Sequence, residues 1–425
     1  MDHLSALAYL DAHADRGVKP GLDRIIGLLD LLAEPHRTAP IIHVAGTNGK
    51  TSTSRMAAAI LGAHGLDAGL FTSPHLQRVE QRYEVGGRVM TPDEFAAALA
   101  EIAPIVDLYE ERSGDLVTYF ELTTALAFAW FAERSVQASV IETGLGGRLD
   151  ASNAADGAVA VVTSVALDHM DYLGDTIAAI AAEKLAILDE GAILVTGELS
   201  DEALAVAGEV APAAAGWFRW GAEYGIGDLH QSIRGWLVDV EGVFGAYEEI
   251  PLSAHGRHQV QNFTVAVAAV EGLLGRELDL DALRVAALEL TLPGRMEVVR
   301  RSPLVMLDGA QNPGGAEALA DALSEEFPTT RWHLVAGAMA DKDVAGILEP
   351  LRGLVTGAAV SSARGTARAL GPEAMASEAA ALGVPVTTHE TVEDALAAAM
   401  ETGDPVLVAG SIYVVGEART ALGIG

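Results

Sequence analysis

The chain has no cysteine, which excludes disulfides, thiolate metal sites and a cysteine nucleophile. It is also short of positive charge: 27 Lys and Arg stand against 59 Asp and Glu, a formal net charge of −32. Nucleic acids and anionic membranes bind through basic faces, so neither is expected as a partner. Any anionic substrate must meet a local cluster of Arg and Lys, and the acid excess itself reads as a solubility feature. No apolar run approaches the roughly 18 residues of a membrane span. The opening stretch, MDHLSALAYLDAHAD, has acids where a signal peptide has basic residues, and lacks its apolar core. Together these absences predict a soluble, cytoplasmic protein. What the 425 residues do have is 50% apolar content, enough for two cores in a chain too long for one.

The organising stretch begins with an apolar run, Ile41 to Ala45. It enters a glycine-bounded turn, Gly46-Thr47-Asn48-Gly49-Lys50-Thr51-Ser52, and continues as a helix through Ala57 to Leu61. Strand, turn and helix make a phosphate loop. Glycines let backbone N–H groups face a polyphosphate, the helix N-terminus adds its positive end, Lys50 supplies a point charge, and the Thr51 or Ser52 hydroxyl can reach Mg²⁺. The Gly-x-x-Gly-Lys-Thr spacing is two residues shorter than the usual pattern.

Polar groups recur at other strand ends, where open α/β sheets bind ligands. Ala68 to Phe71 precedes Thr72-Ser73-Pro74-His75, and Arg78, Arg82 and Arg88 follow. Ala138 to Ile141 leads into Glu142 and the glycines of Gly144-Leu145-Gly146-Gly147, an arrangement suited to holding Mg²⁺ on a nucleotide. Ala158 to Ser164 leads to Asp168-His169, and Thr176 opens a helix carrying Lys184, so Glu142, His169 and Lys184 are expected to converge. Two short helices are expected within residues 1–40, and two longer ones over 93–110 and 116–133. Residues 191–255, with short strands, glycines and Trp217, Trp220 and Trp236, read as a small antiparallel extension in which the tryptophans pack rather than stack on bases. A helix follows Gly256 through Val270, and another runs from Leu280 to Leu290. After Arg295 a new alternation begins, with strands at 304–307, 334–337, 358–361 and 406–410, predicting a second, smaller parallel α/β domain whose polar strand ends face a cleft.

Taken together, GLDRIIGLLDLL, HVAGTNGKTS, TSPHL, ETGLGGRLDASN, SVALDHMDYLG with EKLAIL, GRHQVQNF, PGRME, LDGAQNP, DKD and AGSIYVVGEAR give a chain that resembles a folylpolyglutamate synthase, often bifunctional with dihydrofolate synthase, in the Mur ligase superfamily. The resemblance implies an N-terminal ATPase domain over 1–292, a C-terminal Rossmann-like ligase domain over 293–425, and ATP between them. By the same resemblance Gly46, Thr47, Asn48, Gly49, Lys50, Thr51 and Ser52 hold the phosphates, and Asn262, Arg295 and Asp308 contact the nucleotide. Ser73, Glu142 and His169, with Thr51 or Ser52, match positions that hold two Mg²⁺ ions, and Lys184 matches a lysine often carbamylated. Lys50, His169, Lys184, Asp308, Gln311 and Ser411 are the implied catalytic set, and Gln81, Arg82 and Arg148 the candidate substrate contacts.

The implied chemistry is ATP-dependent amide formation. A carboxylate takes the γ-phosphoryl group, and the L-glutamate amine attacks the acyl phosphate. The acyl substrate is expected to be dihydropteroate or a folate, and the enzyme a monomer. Three residues depart from the family pattern: Thr51 for Gly, Gln81 for Glu and Gln311 for His, the last removing any proton exchange near neutral pH. They leave open a paralogous ligase acting on another carboxylate, or a nucleotide-binding regulator without ligase activity. A Ser-His-Asp hydrolase built on Ser73, His75 and Asp168 lacks the Gly-x-Ser-x-Gly elbow. A Mur ligase proper would place a UDP-sugar-binding domain ahead of the loop, where only some 45 residues stand.

Overall fold

Runs of Val, Ile, Leu and Ala between glycine turns form strands buried on both faces, the pattern of a sheet covered by helices. The computed structural model describes every residue except Val18, Gly365 and Ala367. Its first sheet contains β1 (Ile41–Ala45), β2 (Ala68–Phe71), β3 (Tyr83–Val85), β4 (Arg88–Val89), β5 (Ala138–Glu142), β6 (Val159–Val162), β7 (Ile193–Thr196) and β8 (Gly216–Arg219). The order is β4-β3-β2-β5-β1-β6-β7-β8. Strands β2, β5, β1, β6, β7 and β8 run parallel, while β3 and β4 form an antiparallel edge. With β1 between β5 and β6, the loops leaving β2, β5, β1 and β6 open side by side at one edge. That edge is where such sheets bind ligands.

The expected antiparallel extension is smaller than residues 191–255. Strands β7 and β8 belong to the parallel sheet, with the helix Asp201–Val210 between them. The apolar run Ile193–Thr196 is mostly buried, as an interior parallel strand must be, and the nearby tryptophans obscured that. Only β9 (Gly225–Ser232), β10 (Gly235–Glu241) and β11 (Ala246–Leu252) form the antiparallel sheet. Its inner face, with Trp236, Tyr247 and Ile250, shares a core with Met56 and Ile60 of the helix Lys50–Ala63 and Phe263 of the helix Arg257–Leu274. The helix that leaves the phosphate loop is thereby held along its length.

A second sheet follows, with β12 (Glu297–Arg301), β13 (Leu304–Leu307), β14 (Trp332–Ala336), β15 (Val355–Val360), β16 (Val386–Thr388) and β17 (Val406–Ala409) in the order β12-β13-β17-β14-β15-β16. Only β12 is antiparallel. The N-terminal helices His3–Asp11 and Asp23–Leu31 place Leu10, Ile25 and Leu28 against Phe95 and Trp130 of the helices Pro92–Ser113 and Tyr119–Glu133. Among the described residues, no helix is long and apolar enough to cross a membrane.

Candidate active site

Gly49 sits in the left-handed region at φ 85°, ends the loop and starts the helix Lys50–Ala63 with neither a side-chain cap nor an acid in the first turn. Its first N–H groups are therefore open to an anion. The loop is pinned by the residues that follow β6: Asn48 N–H donates to Ser164 Oγ at 2.9 Å, and Thr163 Oγ1 donates to the Asn48 carbonyl at 2.6 Å. Thr47 exchanges hydrogen bonds with Ala166 at 3.0 and 3.1 Å. A methyl on Gly46 or Gly49 would meet Thr163 or Asn262, so both glycines are required by close approach as well as by conformation. Lys50 Nζ curls back to the Gly46 carbonyl at 2.8 Å, and burial lowers its pKa against the opposing pull of Glu142.

Glu142, the last residue of β5, is buried beside the loop. It accepts from Thr51 Oγ1 at 2.8 Å and from Ser73 N–H at 3.0 Å. Burial raises its pKa, while Lys50 and these hydrogen bonds oppose. Lys184 Nζ reaches the Gly46 carbonyl at 3.0 Å, and burial, with Lys50 nearby, brings its pKa down to about 7. His169 also has a lowered pKa, from burial first and then from Lys342 against the pull of Asp168.

The opposite wall comes from the second sheet. Asp308, just after β13, accepts from Met296 N–H and Ala310 N–H, both at 2.8 Å. Burial raises its pKa against the charge of Arg295. Asn312 caps the helix Pro313–Glu326 and its Nδ2 crosses to Asn48 Oδ1 at 3.0 Å and Asp168 Oδ2 at 3.1 Å. Lys342, beyond β14, donates to Asp168 Oδ1 at 2.9 Å and stands 3.4 Å from His169 Nε2. Burial works to raise the Asp168 pKa, but Lys342, His169 and Asn312 outweigh it and hold it low. Between the walls lies a cavity of about 590 Å³, the size of a cofactor or nucleotide site.

Gly46, Thr47, Asn48, Gly49, Lys50, Thr51, Ser52, Ser73, Glu142, His169, Lys184, Asn262, Arg295, Asp308 and Gln311 all line this cavity. Four other candidates lie outside it. Ser411 is buried and its hydroxyl caps the helix Ile412–Ala421, so that Ile412 and Tyr413 face the cavity instead. Arg148 pairs with Glu183 at 2.8 Å on the surface. Arg82 lies buried over the Tyr119 ring, donating to His75 Nδ1 at 3.1 Å. Gln81 Oε1 accepts from the backbone N–H groups of Gln77 and Arg78 at 2.8 and 3.3 Å.

The cavity also contains Asp168, Lys342 and His258, which belong to none of the nucleotide, metal, catalytic or substrate sets that the resemblance implies. His258 is half-buried next to Arg295, and desolvation first, then that charge, brings its pKa to about 4. The DKD motif directly after a strand was the available signal for Lys342. Nothing in the sequence pairs it with Asp168, 174 positions away.

Comparison with known proteins agrees along the whole chain. The Mur ligase middle domain matches residues 44–270, and the Mur ligase glutamate ligase domain matches residues 294–412. A dihydrofolate synthase/folylpolyglutamate synthase of Mycobacterium tuberculosis is 37% identical, over 96% of this chain and 91% of that protein. The structure of a Mycobacterium tuberculosis folylpolyglutamate synthase complexed with ADP and AMPPCP superposes with a TM-score of 0.94 at 37% identity, covering 100% of both chains. A folylpolyglutamate synthase in complex with AMPPCP and folate gives 0.87 at 29% identity, over 99% of this chain and 100% of the other. An uncapped phosphate-loop helix faced across one cavity by Asp308 and Gln311, in a chain matched end to end, places this protein in the folylpolyglutamate synthase/dihydrofolate synthase family of the Mur ligases.

Proposed function

We propose that the chain joins L-glutamate to dihydropteroate, to the γ-carboxylate of a folate, or to both, using ATP and an acyl-phosphate intermediate. The observation that carries this reading is the two-walled cavity, with the phosphate loop on one side and Arg295, Asp308 and Gln311 on the other. We assign the ATPase domain to residues 1–292 and the ligase domain to 293–425, and infer a monomeric, cytoplasmic enzyme acting on small molecules.

Lys50 and the open N–H groups of the helix Lys50–Ala63 neutralise the phosphate oxygens as the acyl carboxylate takes the γ-phosphoryl group. The amine of L-glutamate then attacks the acyl carbon, phosphate leaves, and an amide remains. Closure of the two walls keeps water from the acyl phosphate. Asn262 and Arg295 contact the nucleotide in this reading, and Arg82, Gln81 and Arg148 remain candidate substrate contacts from outside the cavity.

The donor set suits Mg²⁺. The Thr51 hydroxyl and the Glu142 carboxylate are hard oxygens already within 2.8 Å of one another, Ser73 adjoins them, and the buried Glu142 forms no ion pair among the described residues. Mg²⁺ there would supply charge neutralisation on the phosphates. Among the described residues no cluster of three His, Asp or Glu converges, so a second ion beside His169 needs another anionic oxygen. A carbamate on Lys184 would provide it, and burial that favours the neutral amine favours CO₂ capture. Carbamylation is tested by ¹³C-bicarbonate NMR of the protein and its loss in Lys184→Met.

The substrate test is incubation with MgATP, L-glutamate and either dihydropteroate or a reduced folate, with ADP and product mass measured. Substrate-dependent ADP with a glutamate-mass adduct is expected. Turnover confined to another carboxylate would overturn the reading and favour a paralogous ligase.

A further inference from the structure

We propose that Gln77, Arg419 and Glu297 form a positioning bridge that clamps the Ser73 loop to the second sheet's unit, so that Ser73 and Arg295 face the same cavity. The loop from β2 to β3 leaves the cavity wall at Ser73 and Pro74 and runs onto the helix Ile412–Ala421. There Leu76 packs so closely that a methyl on Gly416 would run into its carbonyl. Gln77 uses every polar atom of its side chain. Its Nε2 donates to the Ile424 carbonyl at 2.7 Å and to Thr420 Oγ1 at 3.0 Å, and its Oε1 accepts from Arg419 Nε at 3.1 Å.

Arg419 is buried and also pairs with the Glu297 carboxylate. Glu297 Oε2 in turn accepts from Gly294 N–H at 2.8 Å, and the Gly294 carbonyl accepts from Gly309 N–H at 2.8 Å. Gly294 and Gly309 are the neighbours of Arg295 and Asp308, both in the cavity wall. The bridge therefore ties three cavity segments, around Ser73, Arg295 and Asp308, through one guanidinium whose planar fork fixes direction as well as distance. None of the three bridge residues lines the cavity. They act by positioning.

Resting on the ligase reading, the inference predicts what a loose bridge does. A gap between Ser73 and the second unit admits water to the acyl phosphate. The water oxygen attacks, the bond to the leaving phosphate breaks, and the carboxylate and inorganic phosphate are released with ATP spent and no amide made.

The test is Gln77→Ala. It removes the bridge's hydrogen bonds across the junction but leaves the Arg419–Glu297 pair intact inside its own unit and the other contacts between the units in place, so the chain keeps its fold. Because the chain has no cysteine, spin labels on Arg78→Cys and Ala421→Cys, both exposed positions, report only the junction. The labelled parent should give a narrow distance distribution, and Gln77→Ala a broadened one. With MgATP, L-glutamate and dihydropteroate, amide formed per ADP should fall ~10-fold, inside the range for small misplacements remote from the chemistry, while nucleotide affinity stays within about twofold because the phosphate loop is untouched. An unchanged distribution, or a broadened one with amide per ADP unchanged, overturns the bridge. If the parent makes no glutamate adduct, the substrate reading fails and the label distances still decide whether the clamp exists.

Discussion

Lys50 holds its half-buried ammonium over the carbonyls of its own loop, with Glu142 as the leading counter-charge. Lys50→Ala should lower turnover by at least ~100-fold, the scale for losing one transition-state charge stabiliser, with a melting temperature near that of the parent. A steady-state assay of ADP release checks it, and near-normal turnover would dismiss the loop assignment. Gln81 is a different case. Its oxygen only accepts, from two backbone N–H groups, and a glutamate carboxylate could do the same. Gln81→Glu is thus expected to stay within about twofold of parent activity, whereas Gln81→Leu, which has no acceptor and orphans the Gln77 N–H, should lose several-fold. Comparative kinetics of the two variants would show it. That Lys50, Glu142, His169 and Lys184 share one cavity was legible in the sequence, because each follows a strand end or sits on a helix next to one. The partners of Arg82 and Arg148 were not legible, because a charged residue beside a motif says nothing of its partner; theirs are His75 with Tyr119, and Glu183.

Among the elements, the helix Pro92–Ser113 shows how a strong local signal behaves. Thr91 and Glu94 form a capping box around Pro92, and Arg88 and Arg134 also reach Glu94. The hydrogen bond from Arg88 is the largest influence and Thr91 assists, against slight burial, so the Glu94 pKa falls to about 2 from an ordinary 4.5. A carboxylate held low contributes stability above its unfolded pKa and loses it as pH falls through the folded value. Glu94→Gln should therefore melt lower than the parent near neutral pH, by an amount worth about 1 kcal/mol or less for ions this near the surface. The difference should shrink between pH 4.5 and 2. Melting curves at several pH values would reveal a constant offset if the pairing were inert. Helices of this kind, and strands bounded by glycine, could be read from period and caps. Strand β12 could not, because Glu297–Arg301 is a charged, partly exposed edge strand, and charge is how an edge avoids unwanted pairing. Strand β16, with only three residues, has too little pattern to register.

For the whole molecule, a cleft between the two sheets' units could be read from their polar strand ends, but the side-chain contacts across it could not, since they join residues far apart in the chain. Besides the bridge at Gln77, they include an anchor at Glu326, whose carboxylate accepts from Gly256 N–H, from Trp236 Nε1 at 3.2 Å and from His255 Nδ1 at 2.6 Å. Arg257 and Glu325 pair beside it at 2.7 Å. Glu326→Ala would strand these donors at a cost of about 2–4 kcal/mol. Calorimetry should then resolve two separate unfolding transitions, and a single transition at the parent temperature would mean the anchor contributes nothing.

That anchor occupies one end of the helix Pro313–Glu326, and the Asn312 cap touching Asn48 and Asp168 occupies the other. Fourteen residues make a rod of about 21 Å. Pivoted at Glu326, a tilt of ~5° sweeps its far tip by about 2 Å, more than enough to break the Asn312 hydrogen bonds to the phosphate loop. The cavity's shape therefore depends on a contact outside it, because the helix carries any change of angle at Glu326 to Asn312, multiplied by its length.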